Sequence, residues 1–379
     1  MSGCMSTQLR KGKMEKPHII FLHGMGEHKK EDFLKEFFTP MDKAAAHFST
    51  IKPLSDQVVA HYIDYNELIN TVRAKIKEST VESLSDKFPG IPTVLAKLNA
   101  LNEKFGKDDS FWFTHVLDVV IYKSMYSDAI QASVGKQLVE AMQKATDAKQ
   151  DIHIVCHSLG TAVGHDVLHK LYTNSLDDDT GRRLLSAGLN KIRSITMVAN
   201  VCTLPITAAD PYTSVVKPGP DGICDYFMTC RHVLDPFASL IKFVPGARWP
   251  NVLGGEFKNV VINGVGRANV HDMEHYFYDP RVYLPFFMNL YSPKFKTTSA
   301  ALEAAKQAHK AMTIQGNFEA LRTHMEDLDI TLYWDSETGE FIYSEDVDTL
   351  LEKLSSFLEL IGTIKDQIGT LTEEEGNDE

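Results

Sequence analysis

The sequence predicts an α/β protein built on a doubly wound, mostly parallel sheet. Three observations carry that expectation. Six strand-like runs rich in β-branched and aromatic residues lie between residues 17 and 265, and helical stretches or long loops separate them, the alternation that a parallel sheet with right-handed crossovers requires. The first run, "PHIIFLHG" (17–24), is apolar almost throughout and stops at Gly24, as a strand covered on both faces reads. Finally, "SDAIQASVGKQLVEAMQKA" (127–145) repeats Ile130, Val134, Leu138 and Met142 every fourth residue, one face of a helix that packs on such a sheet.

In chain order, residues 1–14 read as a flexible N-terminus and 15–298 as the α/β domain. After "PHIIFLHG" comes a loop, then a second strand in "DQVVAHYIDY" (56–65). Residues 66–112 turn helical, with Pro89, Pro92 and Gly106 breaking them into pieces, and read as an insertion or cap. Ser127 or Asp128 can cap the long helix that follows. The next strands are "DIHIVCH" (151–157), "IRSITMVANV" (192–201), "CDYFMTCRHV" (224–233) and "FKNVVINGV" (257–265). Residues 203–223, rich in Pro and Gly, form a loop long enough to cover an active site. Beyond the domain, 299–370 read as a C-terminal extension of helix, hairpin and helix, the hairpin turning at Thr338-Gly339, and 371–379 as an acidic tail.

Composition narrows the function classes. The chain has 379 residues, 43% hydrophobic and 24% charged, enough for one sizeable core with additions. Its net charge of −12, with no basic stripe interleaved with aromatics, argues against a nucleic-acid partner. Five cysteines (Cys4, Cys156, Cys202, Cys224, Cys230) make an odd set without C-x-x-C spacing, which fits a reducing compartment better than a disulfide framework or zinc site. The N-terminal "MSGCMSTQLRKGKMEK" has basic residues but no apolar segment behind them, and no run of about 18 apolar residues occurs anywhere. Ser2 also breaks the myristoylation pattern. The expectation is a cytoplasmic protein without an integral membrane segment.

"IHIVCHSLGT" (152–161) carries the chemistry. Ser158 lies between a strand and a helix, where serine ordinarily caps the helix and where a nucleophile elbow places its nucleophile. The elbow pattern G-x-S-x-G is one residue short, because Cys156 stands at the first glycine. A serine attacks well only if a base takes its proton and N–H groups hold the oxyanion that forms. Leu159 N–H, at the start of the new helix, is the first such donor.

"IIFLHGMGEH", "IVCHSLGT", "RHVLDP" and "HDMEHY" together resemble the α/β-hydrolase superfamily in order and spacing, most closely its lipase- and esterase-like bacterial serine hydrolases, over about residues 15–295. The resemblance implies a second oxyanion donor in the loop after the first strand, at Met25 N–H, with His23 ordering that loop. It also implies an acid after a late strand, at Asp235, with Asp210 in reserve. The base then follows the acid; His271 begins the loop after the last strand, and His275 is the reserve. The implied activity is hydrolysis of carboxylic esters, lipid esters or thioesters included, through an acyl-enzyme. The substrate is a small-molecule or lipid ester, with no metal and no organic cofactor.

Three other readings compete. "GMGEH" suggests a dinucleotide-binding turn but lacks its third glycine. "HDMEH" spells H-x-x-E-H, a zinc-hydrolase signature with His271 and His275 as ligands and Glu274 as base, which leaves the serine elbow unexplained. The same fold can also serve a non-catalytic binding or sensor protein, its C-terminal extension docking a protein partner or a second copy. His115, His165 and His169 read as core or surface residues.

Overall fold

The computed structural model describes residues 16–24, 29–71, 122, 127–176, 185–203, 209–235, 237–238, 242–245, 249, 256–266, 269–292 and 295–313, with the backbone of 332–335 and 340–343. Six parallel strands form one sheet in the order β2-β1-β3-β4-β5-β6. They are β1 (His18–Leu22), β2 (Val59–Ile63), β3 (Ile152–His157), β4 (Ile192–Val198), β5 (Cys224–His232) and β6 (Glu256–Ile262). Each lies inside a run expected from the sequence, except that β6 starts one residue earlier.

The sheet separates two apolar cores. Ile20 and Leu22 of β1 and Ile152, Ile154 and Cys156 of β3 point into one; Ile19, Phe21 and Val155 point into the other. Successive residues of a strand face opposite sides, so apolar residues at consecutive positions are what two buried faces demand. Helices α2 (Ser127–Asp147) and α3 (Leu159–Thr173) fill the first core, where Ile130, Val134, Leu138 and Met142 are fully buried. Helix α1 (Lys30–Ala45) fills the second through Phe33, Phe37 and Met41. The chain moves one way from β1 to β2 and the opposite way from β2 through β3 to β4. A right-handed crossover must change faces when direction reverses, and α1 and α2 accordingly occupy opposite faces.

Helix α1 corresponds to no element in the sequence reading, which has only a loop after Gly24. Phe33, Phe37, Met41 and Ala44 recur at helical spacing and are buried, although Pro40 lies inside the helix. After β6 come α4 (Met273–Phe277), α5 (Pro280–Tyr291) and α6 (Ser299–Ala311). Phe277 meets Phe37 of α1 edge to face at 4.7 Å, with Phe286 of α5 beside both, and this pins the segment that follows His271.

Residues 204–208 of the expected covering loop lie outside the described residues, and 209–223 depart from the expected place. Residues 209–223 pack along α3, where Ser214 Oγ meets His169 Nδ1 at 3.1 Å, and reach the starts of β4 and β5, where Lys191 donates to the Gly219 and Gly222 carbonyls. Parallel β4 and β5 require the chain to return to the N-terminal end of the sheet, and residues 209–223 belong to that return crossover rather than to a cover over the strand C-termini.

Residues 66–71 begin a helix, while 72–112 of the expected insertion lie outside the described residues. In the C-terminal part, α6 and an antiparallel pair, β7 (Leu332–Asp335) with β8 (Glu340–Tyr343), are described. Thr338-Gly339, the second helix of the extension, residues 1–14 and the acidic tail lie outside. Among the described residues no helix is long and apolar enough to cross a membrane.

Candidate active site

The chain leaves β1 for β2 on one side and continues to β3 on the other. Connections therefore depart in opposite directions beyond the C-terminal ends of β1 and β3, opening the crevice where open α/β sheets bind ligands. Ser158 stands there, between β3 and α3, with φ 53 and ψ −128. An L-residue rarely adopts that conformation, and it turns the strand sharply into the helix.

Hydrogen bonds hold the turn from both ends. Ser158 N donates to Val198 O at 3.1 Å, and Ser158 O accepts from Thr161 N at 2.8 Å and Thr161 Oγ1 at 2.7 Å. Although Ser158 occupies the cap position of α3, its side chain makes no cap bond. The hydroxyl instead lies 2.7 Å from Nε2 of His271.

Nδ1 of His271 lies 3.0 and 2.9 Å from the two carboxylate oxygens of Asp235. A carboxylate can only accept, so Nδ1 carries the proton and Nε2 is left to accept from the Ser158 hydroxyl. This is the tautomer a general base needs. Burial opposes the charge on Asp235, but His271, the Tyr276 hydroxyl and the Ala238 N–H outweigh it and hold the carboxyl below its usual range. Tyr276 Oη donates to Asp235 Oδ2 at 2.6 Å, and Phe237 N donates to Oδ1 at 3.1 Å.

Close packing joins the strand ends. A Cβ on Gly24 would sit 2.7 Å from Ser158 Cβ, and one on Gly160 would strike the carbonyls of Leu22 and His23, so the end of β1, the elbow and the first turn of α3 touch through glycine. Cys156 fits in place of the expected glycine because Gly164 leaves it room: a Cβ there would be 2.9 Å from the Cys156 sulfur. Burial pushes that thiol far up, away from thiolate chemistry. Leu159 N–H is among the first donors of α3, which have no acceptor within their own helix. Met25 lies outside the described residues; His23 before it bonds its Nδ1 to Gly24 O at 2.8 Å and stacks on Tyr65 at 3.9 Å.

The reserve residues have other places. Asp210 Oδ1 accepts from Tyr212 N at 2.9 Å in a turn. The His275 ring packs 5.1 Å from His232, because α4 turns it away from the hydroxyl that His271 meets. Glu274 accepts from Tyr278 Oη at 2.9 Å, and His271 is engaged by Ser158 and Asp235, so the H-x-x-E-H residues do not converge. Among the described residues no group of three His, Cys, Asp or Glu side chains could hold a metal ion. His165 is buried and lies 3.2 Å from Asp166; His115 is outside the described residues.

Four supporting residues were not singled out from sequence. His157 Nε2 donates to the His271 carbonyl at 2.7 Å, tying the residue before Ser158 to the histidine that meets its hydroxyl. His232 Nδ1 accepts from Leu234 N at 3.0 Å, so its Nε2 is the donor to Gly264 O at 3.1 Å, and one ring joins the turn bearing Asp235 to the loop leading to His271. Tyr276 Oη also accepts from His232 N at 3.0 Å. Thr161 Oγ1 accepts from Val201 N at 2.9 Å, linking the elbow to the end of β4. Each stands within five residues of a singled-out residue, the only signal the sequence carried. No family model, curated protein or solved structure matches the chain.

Proposed function

We propose that the chain is a serine hydrolase of the α/β-hydrolase type that cleaves carboxylic esters through an acyl-enzyme. One observation carries the reading: Ser158 forgoes the helix-cap bond and offers its hydroxyl to His271 Nε2 at 2.7 Å, while Nδ1 of the same ring rests on the buried Asp235 carboxylate. The all-parallel order β2-β1-β3-β4-β5-β6, with the serine beside the point where the winding reverses, supports it. Four buried free cysteines among the described residues suit a reducing, cytoplasmic setting.

In the proposed reaction Ser158 Oγ bonds to the ester carbonyl carbon as its proton passes to His271 Nε2, and Asp235 stabilises the imidazolium. The carbonyl oxygen becomes an oxyanion held by Leu159 N–H, with Met25 N–H as the proposed second donor. Collapse breaks the bond to the leaving alcohol, which takes the proton from Nε2. Water, deprotonated by the same nitrogen, then attacks the acyl-enzyme; the acid leaves and Ser158 regains its proton. No metal or organic cofactor enters these steps.

Labelling the full chain with a fluorophosphonate tests this. The expected result is one adduct on Ser158, absent in Ser158→Ala; a folded wild-type chain that never labels would overturn the reading and leave a binding protein. Hydrolysis of p-nitrophenyl esters of graded acyl length then sorts small esters from lipid-like ones.

A further inference from the structure

A second feature lies at edge strand β6, three strands from β3 and Ser158. A cavity of about 650 Å³ opens between edge strand β6, helix α5 and helix α6. Its apolar wall is Leu284, Pro285 and Met288, and its charged wall is Lys258, Lys306 and Lys310. Met288 is 58% exposed although the opposite face of α5 is buried.

The charge at this place runs against the rest of the chain, whose net charge is −12. Among the described residues the lining holds one carboxylate, Asp279, and it is already matched: Arg281 grips it with Nη2 at 2.6 Å and Nε at 3.0 Å, and His309 Nε2 lies 3.5 Å away. Arg281 also donates to Val261 O through Nη1 and to Asn263 Oδ1 through Nη2. Glu303, one helical turn from Lys306, accepts from Gln307 instead. No carboxylate among the described residues forms an ion pair with Lys258, Lys306 or Lys310. Three lysines without a carboxylate partner thus share with an apolar wall the lining of a space of the size that holds a drug-sized ligand. Ammonium groups bind phosphate or carboxylate as point charges, and an exposed methionine beside them suits a flexible hydrocarbon.

We propose that this cavity binds an amphiphilic anion, a phosphate or carboxylate head carried on an alkyl chain. The head lies among Lys258, Lys306 and Lys310, and the chain lies along Leu284, Pro285 and Met288. The site is separate from Ser158 and does not depend on the ester-hydrolase reading.

The test uses the full chain labelled with ¹³C at the methionine methyls and titrated with decyl phosphate, decanoate, decanol and inorganic phosphate. A saturable shift of the Met288 methyl with decyl phosphate or decanoate is expected, the stronger of the two identifying the head group. Decanol and inorganic phosphate alone should bind at least about tenfold more weakly, because each lacks half of the contact. The triple variant Lys258→Gln, Lys306→Gln, Lys310→Gln changes only exposed side chains and should weaken the anions at least about tenfold, with a loss that shrinks in high salt. A Met288 methyl that does not move, an unweakened triple variant, or decanol binding as tightly as the anions would each overturn the proposal.

Discussion

Two neighbouring strands end alike and do different work. β3 runs into Ser158 with φ 53, and β4 runs into Ala199 with φ 48, both in a conformation that side-chain-bearing residues avoid. At β3 the turn presents a hydroxyl to His271. At β4 the following residue, Asn200, turns its side chain inward, donating to Thr229 Oγ1 at 3.0 Å and accepting from Cys202 N at 2.9 Å. Unusual backbone at a strand end is therefore a means of turning the chain, and what sets the two turns apart is the side chain each presents: a hydroxyl that meets His271 at one, an amide held by Thr229 and Cys202 at the other. The two turns are also physically joined, since Thr161 Oγ1 donates to Ser158 O and accepts from Val201 N.

The sharpest way to separate the turns is to remove the hydroxyl. Ser158→Ala should lower kcat/KM for an active p-nitrophenyl ester by at least about a thousandfold, since nucleophile and base act as a unit, without lowering the unfolding midpoint. Ser158→Gly should be as inactive yet more stable than Ser158→Ala by about 1 kcal/mol, because glycine takes the positive φ without strain. Retained turnover in either variant would remove the serine from the mechanism.

The next effect falls on Asp235. Tyr276→Phe deletes a buried donor to the carboxylate and leaves the His232 N–H without its acceptor, a loss of about 1.5–3 kcal/mol in urea unfolding at neutral pH. The sign with pH follows from the lowered pKa of Asp235. Its contribution is present above the unfolded value of about 3.9 and is lost as pH falls through the lower folded value. The gap between wild type and variant should therefore narrow in acid, and a gap that widens there would contradict the assignment.

Thr161→Val breaks the link between the turns. The buried Val201 N–H loses its acceptor, so stability should fall by about 1–2 kcal/mol, with a smaller kcat as the elbow loosens. An unchanged unfolding midpoint would mean that the turns are held independently. Smallest is Ala199→Gly, which relieves strain without touching the site. It should raise stability by about 0.5–1 kcal/mol and leave esterase activity within about twofold; a large activity loss would show that the second turn takes part after all.

The sequence carried the sheet because its evidence is local. Buried parallel strands read as short apolar runs, and all six runs contain or nearly match their strands. Ser158 was legible for the same reason, since a serine between an apolar strand and a small-residue helix needs no distant contact to be noticed. Helix α1 also had local periodicity, but a run opening on charged residues and containing Pro40 resembles a loop until its phenylalanines have a sheet to meet.

Tertiary structure decided the rest. His271 and His275 are four residues apart and chemically identical; what distinguishes them is that His271, in the loop before the short helix anchored by Phe277 against Phe37, meets Ser158, while His275, on that helix, is turned toward His232. His157, Tyr276 and Thr161 gain their roles from partners 114, 41 and 40 residues away. Spacing along a chain reports which face of a strand or helix a residue occupies. Which distant side chain meets that face is set only when the sheet closes around both.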